Sequence, residues 1–239
     1  MQVEAVLFDL FDTLLLLEKE EIYYGTCLKK THEFLTKNGI AVSFNDFSKV
    51  YFDVRDKFYS ESRQTLEEPH FKVRISQTLH KLGYEYEPSH PIVINATNVF
   101  ADEFMRYVTL DKEAPVVLRK LHEKYRLGLV SNFGLPECGR KLLEIHGLSM
   151  FFDAVVISGE INQRKPSPKI FERTLKALKV TSSKAVFVGD MLDLDIRGPK
   201  NVGMKTVLIE RRPLKRDSDV KPDFTIKTLS ELLIILKSS

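Results

Sequence analysis

Residues 6–15 read VLFDLFDTLL, an apolar run that three polar side chains interrupt near its end. The residues before Asp9 have the length and composition of a buried strand, and Asp12 and Thr13 follow closely behind. Strands of a parallel sheet covered on both faces are continuous apolar runs, and open α/β sheets bind ligands at the carboxyl ends of such strands. The stretch therefore predicts the first strand of an α/β sheet, with chemically active side chains at its end.

Five more apolar runs follow in the second half of the chain. Helical patterns separate them, near residues 137–146, 168–178 and 193–201. This alternation is typical of a doubly wound parallel sheet with helices on both faces, so the fold class is predicted to be α/β. The predicted strands are VEAVLF (3–8), LGLV (127–130), AVVIS (154–158), AVFVG (185–189), TVLIE (206–210) and FTI (224–226).

The segment between the first strand and the rest has a different pattern. Apolar residues recur there at helical spacing, as at Phe44, Phe47, Tyr51, Val54 and Phe58. We therefore expect a small helical domain over 18–110, inserted into an α/β core formed by 1–17 and 111–239. Helical spacing does not tell whether four aromatic side chains face a ligand or the inserted domain's own core: Tyr23, Tyr24, Phe52 and Tyr59.

Composition and charge argue against several classes of function. The chain has 36 basic and 33 acidic residues, a balance of +3 that gives no reason to expect a nucleic-acid partner. Cys27 and Cys138 are too few for a disulfide framework or a zinc site, and this usage favours a cytoplasmic protein. No membrane span is expected, since ELLIILK at 231–237 is too short. The basic segment RRPLKR at 211–216 is expected to be a surface loop.

Polar residues follow four of the predicted strands. They are Asp9, Ser131 with Asn132, Asp190 and, through a loop after the strand at 154–158, Lys165. Each taken alone is more typical of a turn, a helix cap or a solvated loop. Because the carboxyl ends of parallel strands share one edge of the sheet, we expect these groups to meet in one crevice that binds a small molecule.

Four stretches resemble, in order, the signature motifs of the haloacid dehalogenase superfamily. They are FDLFDTL (8–14), LVSNF (129–133), the lysine of NQRKPSPKIF (162–171) and VGDMLDLDIRG (188–198). The helical insertion after the first motif is similar to the first-position cap of subfamily I in that superfamily. The resemblance covers essentially the whole chain and implies a hydrolase with a Rossmann-like core and a cap domain.

The resemblance also implies catalytic roles. Asp9 matches the nucleophile, and a carboxylate can form an aspartyl-phosphate that divides one hard hydrolysis into two easier displacements. Phosphoryl transfer otherwise needs mainly alignment and neutralisation of charge. Lys165 is expected to supply positive charge, and the Thr13 and Ser131 hydroxyls and the Asn132 amide are expected to donate the remaining hydrogen bonds.

The implied metal ligands are oxygen atoms. Asp9 and Asp190 together suit a hard cation, and Mg²⁺ is the expected cofactor. The resemblance adds the backbone carbonyl of Phe11. Asp195 matches the closing acid of the fourth motif, where it would bind the cation through water or orient the motif lysine. Asp193 fits that spacing less well and is expected to be an acid at a helix terminus.

Phe11 departs from the pattern of the superfamily's phosphatases. They usually carry a second aspartate at this position, which protonates the leaving oxygen and then activates water. A phenyl ring does neither. Asp12 is the next residue, but along an extended chain adjacent side chains point apart, so we expect Asp12 to aim away from the substrate and not to take this role unless a tight turn brings it back.

Three functions remain open. The favoured one is a Mg²⁺-dependent phosphatase of small phosphorylated metabolites with weakened general-acid help. The first alternative is a 2-haloacid dehalogenase that uses Asp9 on carbon, needs no metal and binds the substrate carboxylate through a cap arginine such as Arg55 or Arg63. The second is a weak or inactive relative that binds phosphate or metal. The Gly189–Asp190 pair favours phosphate, and the oligomeric state is not predictable.

Overall fold

The computed structural model describes residues 3–211 and 219–237, so most of the basic segment at 211–216 lies outside the described residues. The strands in this part are β1 (Ala5–Phe8), β2 (Leu15–Leu17), β3 (Val108–Leu110), β4 (Arg126–Ser131), β5 (Ala154–Ile157), β6 (Ala185–Gly189), β7 (Lys205–Ile209) and β8 (Phe224–Ile226). The α-helices are α1 (Glu20–Lys37), α2 (Phe44–Thr65), α3 (Phe71–Lys81), α4 (Pro91–Phe104), α5 (Ala114–His122), α6 (Pro136–Ile145), α7 (Ser158–Ile161), α8 (Pro168–Leu178), α9 (Gly198–Asn201) and α10 (Leu232–Lys237).

Six strands form a parallel sheet in the order β5-β4-β1-β6-β7-β8. The opening stretch supplies its middle strand, because β1 pairs in parallel with β4 on one side and β6 on the other. Val6 and Phe8 pack in one apolar cluster with α5, α6 and α10, while Ala5 and Leu7 pack in a second cluster with α8. Both faces of the sheet are therefore covered, which confirms the predicted doubly wound α/β core.

The insertion after β1 is helical. Helices α1 to α4 follow one another from residue 20 to residue 104, and α1 packs mainly against α4. The short strands β2 and β3 pair antiparallel on either side of this insertion, with Leu15 opposite Leu110. A two-stranded link thus joins the helices to the sheet. The division into a core of 1–17 and 111–239 and a cap of 18–110 stays a prediction.

One predicted element has a different form. A helix is expected over 193–201, but residues Leu192–Arg197 are π-helical and only Gly198–Asn201 is α-helical. Single π-turns are rare in proteins and often occur at functional sites. The six predicted strands are present with ends shifted by at most two residues. Among the described helices, none combines the length and the apolar character needed to cross a bilayer.

Candidate active site

The carboxyl edge of the sheet brings together side chains from three of the four motifs. Nζ of Lys165 lies 2.5 Å from Oδ1 of Asp9 and 2.7 Å from Oδ1 of Asp195. All three residues are buried, and Lys165 is only 2% exposed. Removing an ammonium from water is costly unless opposite charges lie beside it, and the two carboxylates supply these charges. The geometry therefore fixes a positive charge directly beside Asp9.

Carboxylates also gather where a cation would be held. Ligand oxygens of Asp9, Asp190 and Asp195 lie within 4.8 Å of one another, and oxygen ligands of this kind suit Mg²⁺. Asp195 is the most engaged of the three, because its Oδ1 accepts from Lys165 and its Oδ2 accepts from the backbone N–H of Met191 at 3.0 Å. Of the two roles expected for Asp195, this arrangement favours orientation of Lys165.

Burial raises the pKa of two of these carboxyl groups. Desolvation is the largest cause for Asp190, the charges of Asp195 and Asp9 add to it, and its pKa rises to about 8. At Asp9, desolvation raises the pKa more than the ammonium of Lys165 lowers it, and the pKa of Asp9 rises to about 7. Burial alone would lower the pKa of Lys165, but the charges of Asp195 and Asp9, which also accept hydrogen bonds from its ammonium, raise it. The site thus has more negative than positive groups, and a divalent cation would correct this imbalance.

Gly189 allows Asp195 to reach the end of its strand. A Cβ atom at position 189 would lie 2.5 Å from both Cβ and Cγ of Asp195, far closer than non-bonded carbon atoms approach. The backbone also holds Asp195 there, since its N–H donates to the carbonyl of Met191 at 2.7 Å. The glycine before Asp190 therefore has a steric purpose.

Asp193 lies outside this cluster. Its side chain is exposed and accepts from Nε of Arg197 at 3.2 Å. It has the position expected of an acid near the start of a helical segment. The two aspartates of the fourth motif thus differ in burial and in partner, although they are only two residues apart.

Asn132 holds the backbone of the lysine. Its Nδ2 donates to the carbonyl of Lys165 at 3.0 Å, and its Oδ1 accepts from the N–H of Lys165 at 2.7 Å. This pairing links the loop after β4 to the loop before α8 and fixes the backbone from which the side chain of Lys165 extends. It is a positioning role that the sequence did not predict, and direct contact of Asn132 with a phosphoryl group stays a prediction.

Two predicted hydroxyl donors are buried. Thr13 and Ser131 are 0% and 1% exposed, and neither side-chain oxygen has a hydrogen-bond partner among the described residues. Leaving a buried polar atom unpaired typically costs about 1–3 kcal/mol. A ligand that accepts hydrogen bonds would remove this cost, which fits the proposed binding of an anion near Asp9.

Phe11 belongs to an aromatic cluster between the sheet and the inserted helices. Its ring packs edge-on against Phe133 at 4.9 Å and Phe104 at 5.8 Å between centroids. A cavity of about 220 Å³ lies beside these rings and extends into the helices. Its lining includes three of the four aromatic side chains left open by the sequence, Tyr23, Tyr24 and Tyr59, whereas Phe52 is not among the residues that line it.

The chain around Asp12 turns instead of running straight. The N–H of Leu14 donates to the carbonyl of Leu10, and Asp12 has a φ of 54°. The chain is therefore not extended here, as the expectation that Asp12 aims away from the substrate had assumed, and the turn left open as the alternative is present. The negative charge of Asp12 helps to raise the pKa of Asp190, although burial and the charges of Asp195 and Asp9 contribute more. That Asp12 does not replace the missing acid stays a prediction.

The arginines suggested by the sequence as carboxylate ligands are not at the cavity. Arg55 forms ion pairs with Glu20 at 2.7 Å and Asp56 at 2.8 Å, and Arg63 is exposed. Two other arginines line the cavity, Arg164 beside the motif lysine and Arg74 of α3, and the sequence pattern had singled out neither of them as a ligand. A signal was present: Arg74 lies three residues after Phe71, on the side of the helix that the buried residues share.

A family model for haloacid dehalogenase-like hydrolases matches residues 3–203. The chain belongs to this family.

Curated relatives of this hydrolase include a glyceraldehyde 3-phosphate phosphatase of Methanopyrus kandleri, 31% identical over 98% of this chain and 97% of the relative. A phosphoglycolate phosphatase of Aquifex aeolicus is 38% identical over 52% of this chain and 57% of its own length. Among solved structures, a 2-haloacid dehalogenase of Pseudomonas syringae has a TM-score of 0.75 at 23% identity, with 99% of each chain covered. That likeness concerns the fold.

Proposed function

We propose that this hydrolase is a Mg²⁺-dependent phosphatase of small phosphorylated metabolites that forms an aspartyl-phosphate at Asp9. The observation that carries the proposal is the buried contact of Asp9 with Lys165 at 2.5 Å, beside the carboxylate of Asp190. A nucleophilic carboxylate, an adjacent ammonium and further oxygen ligands are the parts that phosphoryl transfer needs. The names of the curated relatives support phosphate esters as substrates.

The reaction would proceed in two displacements. An oxygen of Asp9 forms a bond to phosphorus while the ester P–O bond breaks, and the leaving oxygen departs with its electron pair and takes a proton from solvent, which the attacking water of the second step replaces. Water then attacks the same phosphorus, so that inorganic phosphate leaves and the carboxylate of Asp9 is restored. Lys165 stays protonated throughout and offsets negative charge on the phosphoryl oxygens, while Thr13 and Ser131 donate hydrogen bonds to them.

The residues present fit a divalent cation. Asp9, Asp190 and the backbone carbonyl of Phe11 would hold it, with Asp195 contributing through water or through Lys165. When bound, Mg²⁺ supplies neutralisation of charge on the phosphoryl group. The raised pKa values of Asp9 and Asp190 support this assignment. They show that the positive charge of Lys165 does not offset the cost of burying these carboxylates, and a cation would supply the missing positive charge.

A 2-haloacid dehalogenase is the second candidate. The observation in its favour is Phe11, since a halide leaves carbon without a proton and needs no acid at this position. Asp190 weighs against it, because three carboxyl groups lie together beside the single ammonium of Lys165, an excess of negative charge that a divalent cation would offset and a metal-free dehalogenase would leave in place. We therefore place phosphate first.

One paired assay on the purified protein separates the candidates. Phosphate release from p-nitrophenyl phosphate is measured with Mg²⁺ and with a chelator, and halide release from 2-chloropropionate is measured in parallel. We expect phosphate release that requires Mg²⁺ and no halide release. Halide release that survives the chelator would establish the dehalogenase instead, and the absence of both activities would indicate an inactive relative.

A further inference from the structure

The cavity between the sheet and the inserted helices contains an arginine whose charge is not offset. Arg74 lines it, and within residues 3–211 and 219–237 no carboxylate forms an ion pair with this guanidinium. The other arginine in the lining, Arg164, lies 3.4 Å from Glu68. Buried charges in proteins are usually paired, so a lone guanidinium beside a cavity calls for an explanation.

The contacts of Arg74 are with phenols and aromatic rings. Nη1 donates to the hydroxyls of Tyr24 at 3.2 Å and Tyr51 at 3.4 Å. The guanidinium carbon lies 5.2 Å from the ring centroid of Tyr59 and 5.1 Å from that of Phe71. Nε is buried and has no partner among the described residues. Much of the hydrogen-bonding capacity of this side chain is therefore unused.

These tyrosines do not neutralise the arginine. Burial is the largest cause of a raised pKa at both Tyr24 and Tyr51, so their hydroxyls stay protonated at neutral pH. Arg55 provides the contrast within the same helical insertion: its guanidinium also lies over the ring of Tyr59, at 5.6 Å, but Glu20 and Asp56 pair with it. Arg74 has the ring contacts without the carboxylates.

The cavity extends from Arg74 to the loops beside the reactive carboxylate, although Asp9 and Lys165 are not themselves among the residues that line it. Its lining includes Phe11, two residues after Asp9, and Asn132, which hydrogen-bonds to the backbone of Lys165. The start of α3 is tied to the sheet side, because the N–H of Phe71 donates to the carbonyl of Gly134 at 2.7 Å. Arg74 is one helical turn further along, so a small molecule in the cavity would meet the guanidinium at one end and the catalytic loops at the other.

We propose that Arg74 binds a carboxylate on the leaving group, so that the enzyme selects small phosphate monoesters that carry this second negative charge. The inference rests on the proposed phosphatase activity and adds the chemistry of the substrate. A guanidinium binds a carboxylate through parallel N–H donors, and the low-polarity aromatic walls strengthen this attraction. The cavity volume of about 220 Å³ suits a small leaving group.

The test compares 2-phosphoglycolate with glycolaldehyde phosphate, which differ in a carboxylate and an aldehyde. We expect the wild-type protein to prefer phosphoglycolate in kcat/KM, and Arg74→Met to reduce that preference about ten- to a hundredfold, mainly through KM, as expected for a hydrogen bond to a charged group. Arg74→Lys keeps the charge and should lose less. The matched control Arg55→Met, which removes a paired arginine, should leave the preference unchanged.

Calorimetry makes the result independent of turnover. Binding of both compounds is measured to Asp9→Asn and to Asp9→Asn combined with Arg74→Met, with thermal unfolding to confirm that each variant is folded. Weaker binding of phosphoglycolate alone in the double variant supports the assignment. Equal losses for both compounds, or no preference in the wild-type protein, would overturn it. Failure of the phosphatase itself is a distinct outcome, because it would appear as an absence of phosphate release from p-nitrophenyl phosphate, with or without halide release from 2-chloropropionate.

Discussion

Nζ of Lys165 lies 2.5 Å from Oδ1 of Asp9, although 156 positions separate the two residues in the chain. Lys165 is held at both ends: Asn132 forms hydrogen bonds with its backbone, and Asp195 accepts a hydrogen bond from Nζ. Residues from all four motifs are therefore joined by direct hydrogen bonds. This network is the part of the site on which the proposed chemistry depends.

Removal of the charge of Asp195 is expected to impair Lys165. In Asp195→Asn we expect phosphatase kcat to fall about ten- to a hundredfold, the usual range for residues that orient an active group. The pKa of Lys165 should also fall, because burial lowers it and Asp195 is the largest cause of its rise. The alkaline limb of the kcat/KM profile then moves to lower pH.

The matched control for this variant is Asp193→Asn, since Asp193 lies on the same π-helical turn but is exposed. Its rate and pH profile should equal those of the wild-type protein. An unchanged pH profile in Asp195→Asn would show that Asp195 does not act through the lysine.

Mg²⁺ binding is expected to depend on pH. The pKa values of Asp9 and Asp190 are raised to about 7 and about 8 in the metal-free protein, and both groups must ionise to bind the cation. Mg²⁺ should therefore bind more tightly as the pH rises from about 6 to about 9 and should release protons, as metal binding to protonated ligands does. Calorimetry in buffers of different ionisation enthalpy measures both effects, and an affinity that is constant across this range would contradict the assignment.

The same shifts predict the stability of the metal-free protein. The folded state keeps protons on Asp9 and Asp190 that the unfolded chain loses near the ordinary pKa of 3.8. Because the folded state then binds more protons than the unfolded one, the free energy of unfolding falls as the pH rises from 3.8 through about 8. Added Mg²⁺ should raise the melting temperature most at the alkaline end. Denaturant titrations at several pH values, with and without Mg²⁺, test this.

Phe11 is expected to make the rate depend steeply on the leaving group. General acid catalysis typically contributes about a hundred- to ten-thousandfold, and its absence affects alkyl phosphates most because their alkoxides are poor leaving groups. Aryl and acyl phosphates should react readily, whereas glycerol phosphate should react slowly. A rate that is the same for aryl and alkyl esters would mean that another residue, such as Asp12, supplies the proton.

Restoring the acid is the complementary experiment. Phe11→Asp should increase the rate on alkyl phosphates more than on aryl phosphates. The control is Phe11→Asn, which has a similar size but no proton of suitable acidity, and it should bring no gain. Since the Phe11 ring packs against Phe104 and Phe133, both variants should lose some thermal stability, and the comparison between them removes that common effect.

Gly189→Ala should disrupt the contact of Asp195 with Lys165. The added Cβ would lie 2.5 Å from side-chain atoms of Asp195, so the carboxylate must move away from the strand end. We expect a loss of phosphatase kcat similar to that of Asp195→Asn, with the protein still folded by circular dichroism. Wild-type activity in Gly189→Ala would show that the position of Asp195 is not critical.

The sequence predicts the sheet well because its information there is local. Continuous apolar runs such as AVFVG at 185–189 mark buried strands, and the polar residue after each run marks the functional edge. The contacts of Asn132 with Lys165 could not be predicted in the same way. They join two loops 33 positions apart, and an asparagine's partner is not encoded in its neighbours.

Two other features differ from what the sequence predicts, and both depend on tertiary structure. The turn at Asp12 depends on hydrogen bonds within the loop, which the apolar pattern of the stretch does not reveal. Arg74 donates to Tyr24 and Tyr51, which are 50 and 23 positions away, so its isolation from carboxylates becomes visible only in the folded chain. Long-range packing of this kind forms the lining of the cavity.

The most direct test is to find where the phosphoryl group goes. The protein is mixed with an aryl phosphate and Mg²⁺, quenched in acid during turnover, digested and analysed by mass spectrometry, alongside Asp9→Asn. We predict a phosphoryl group on the peptide that contains Asp9, and neither labelling nor phosphate release in the variant. Phosphate release by Asp9→Asn at the wild-type rate, or a phosphoryl group on a different residue, would contradict the account.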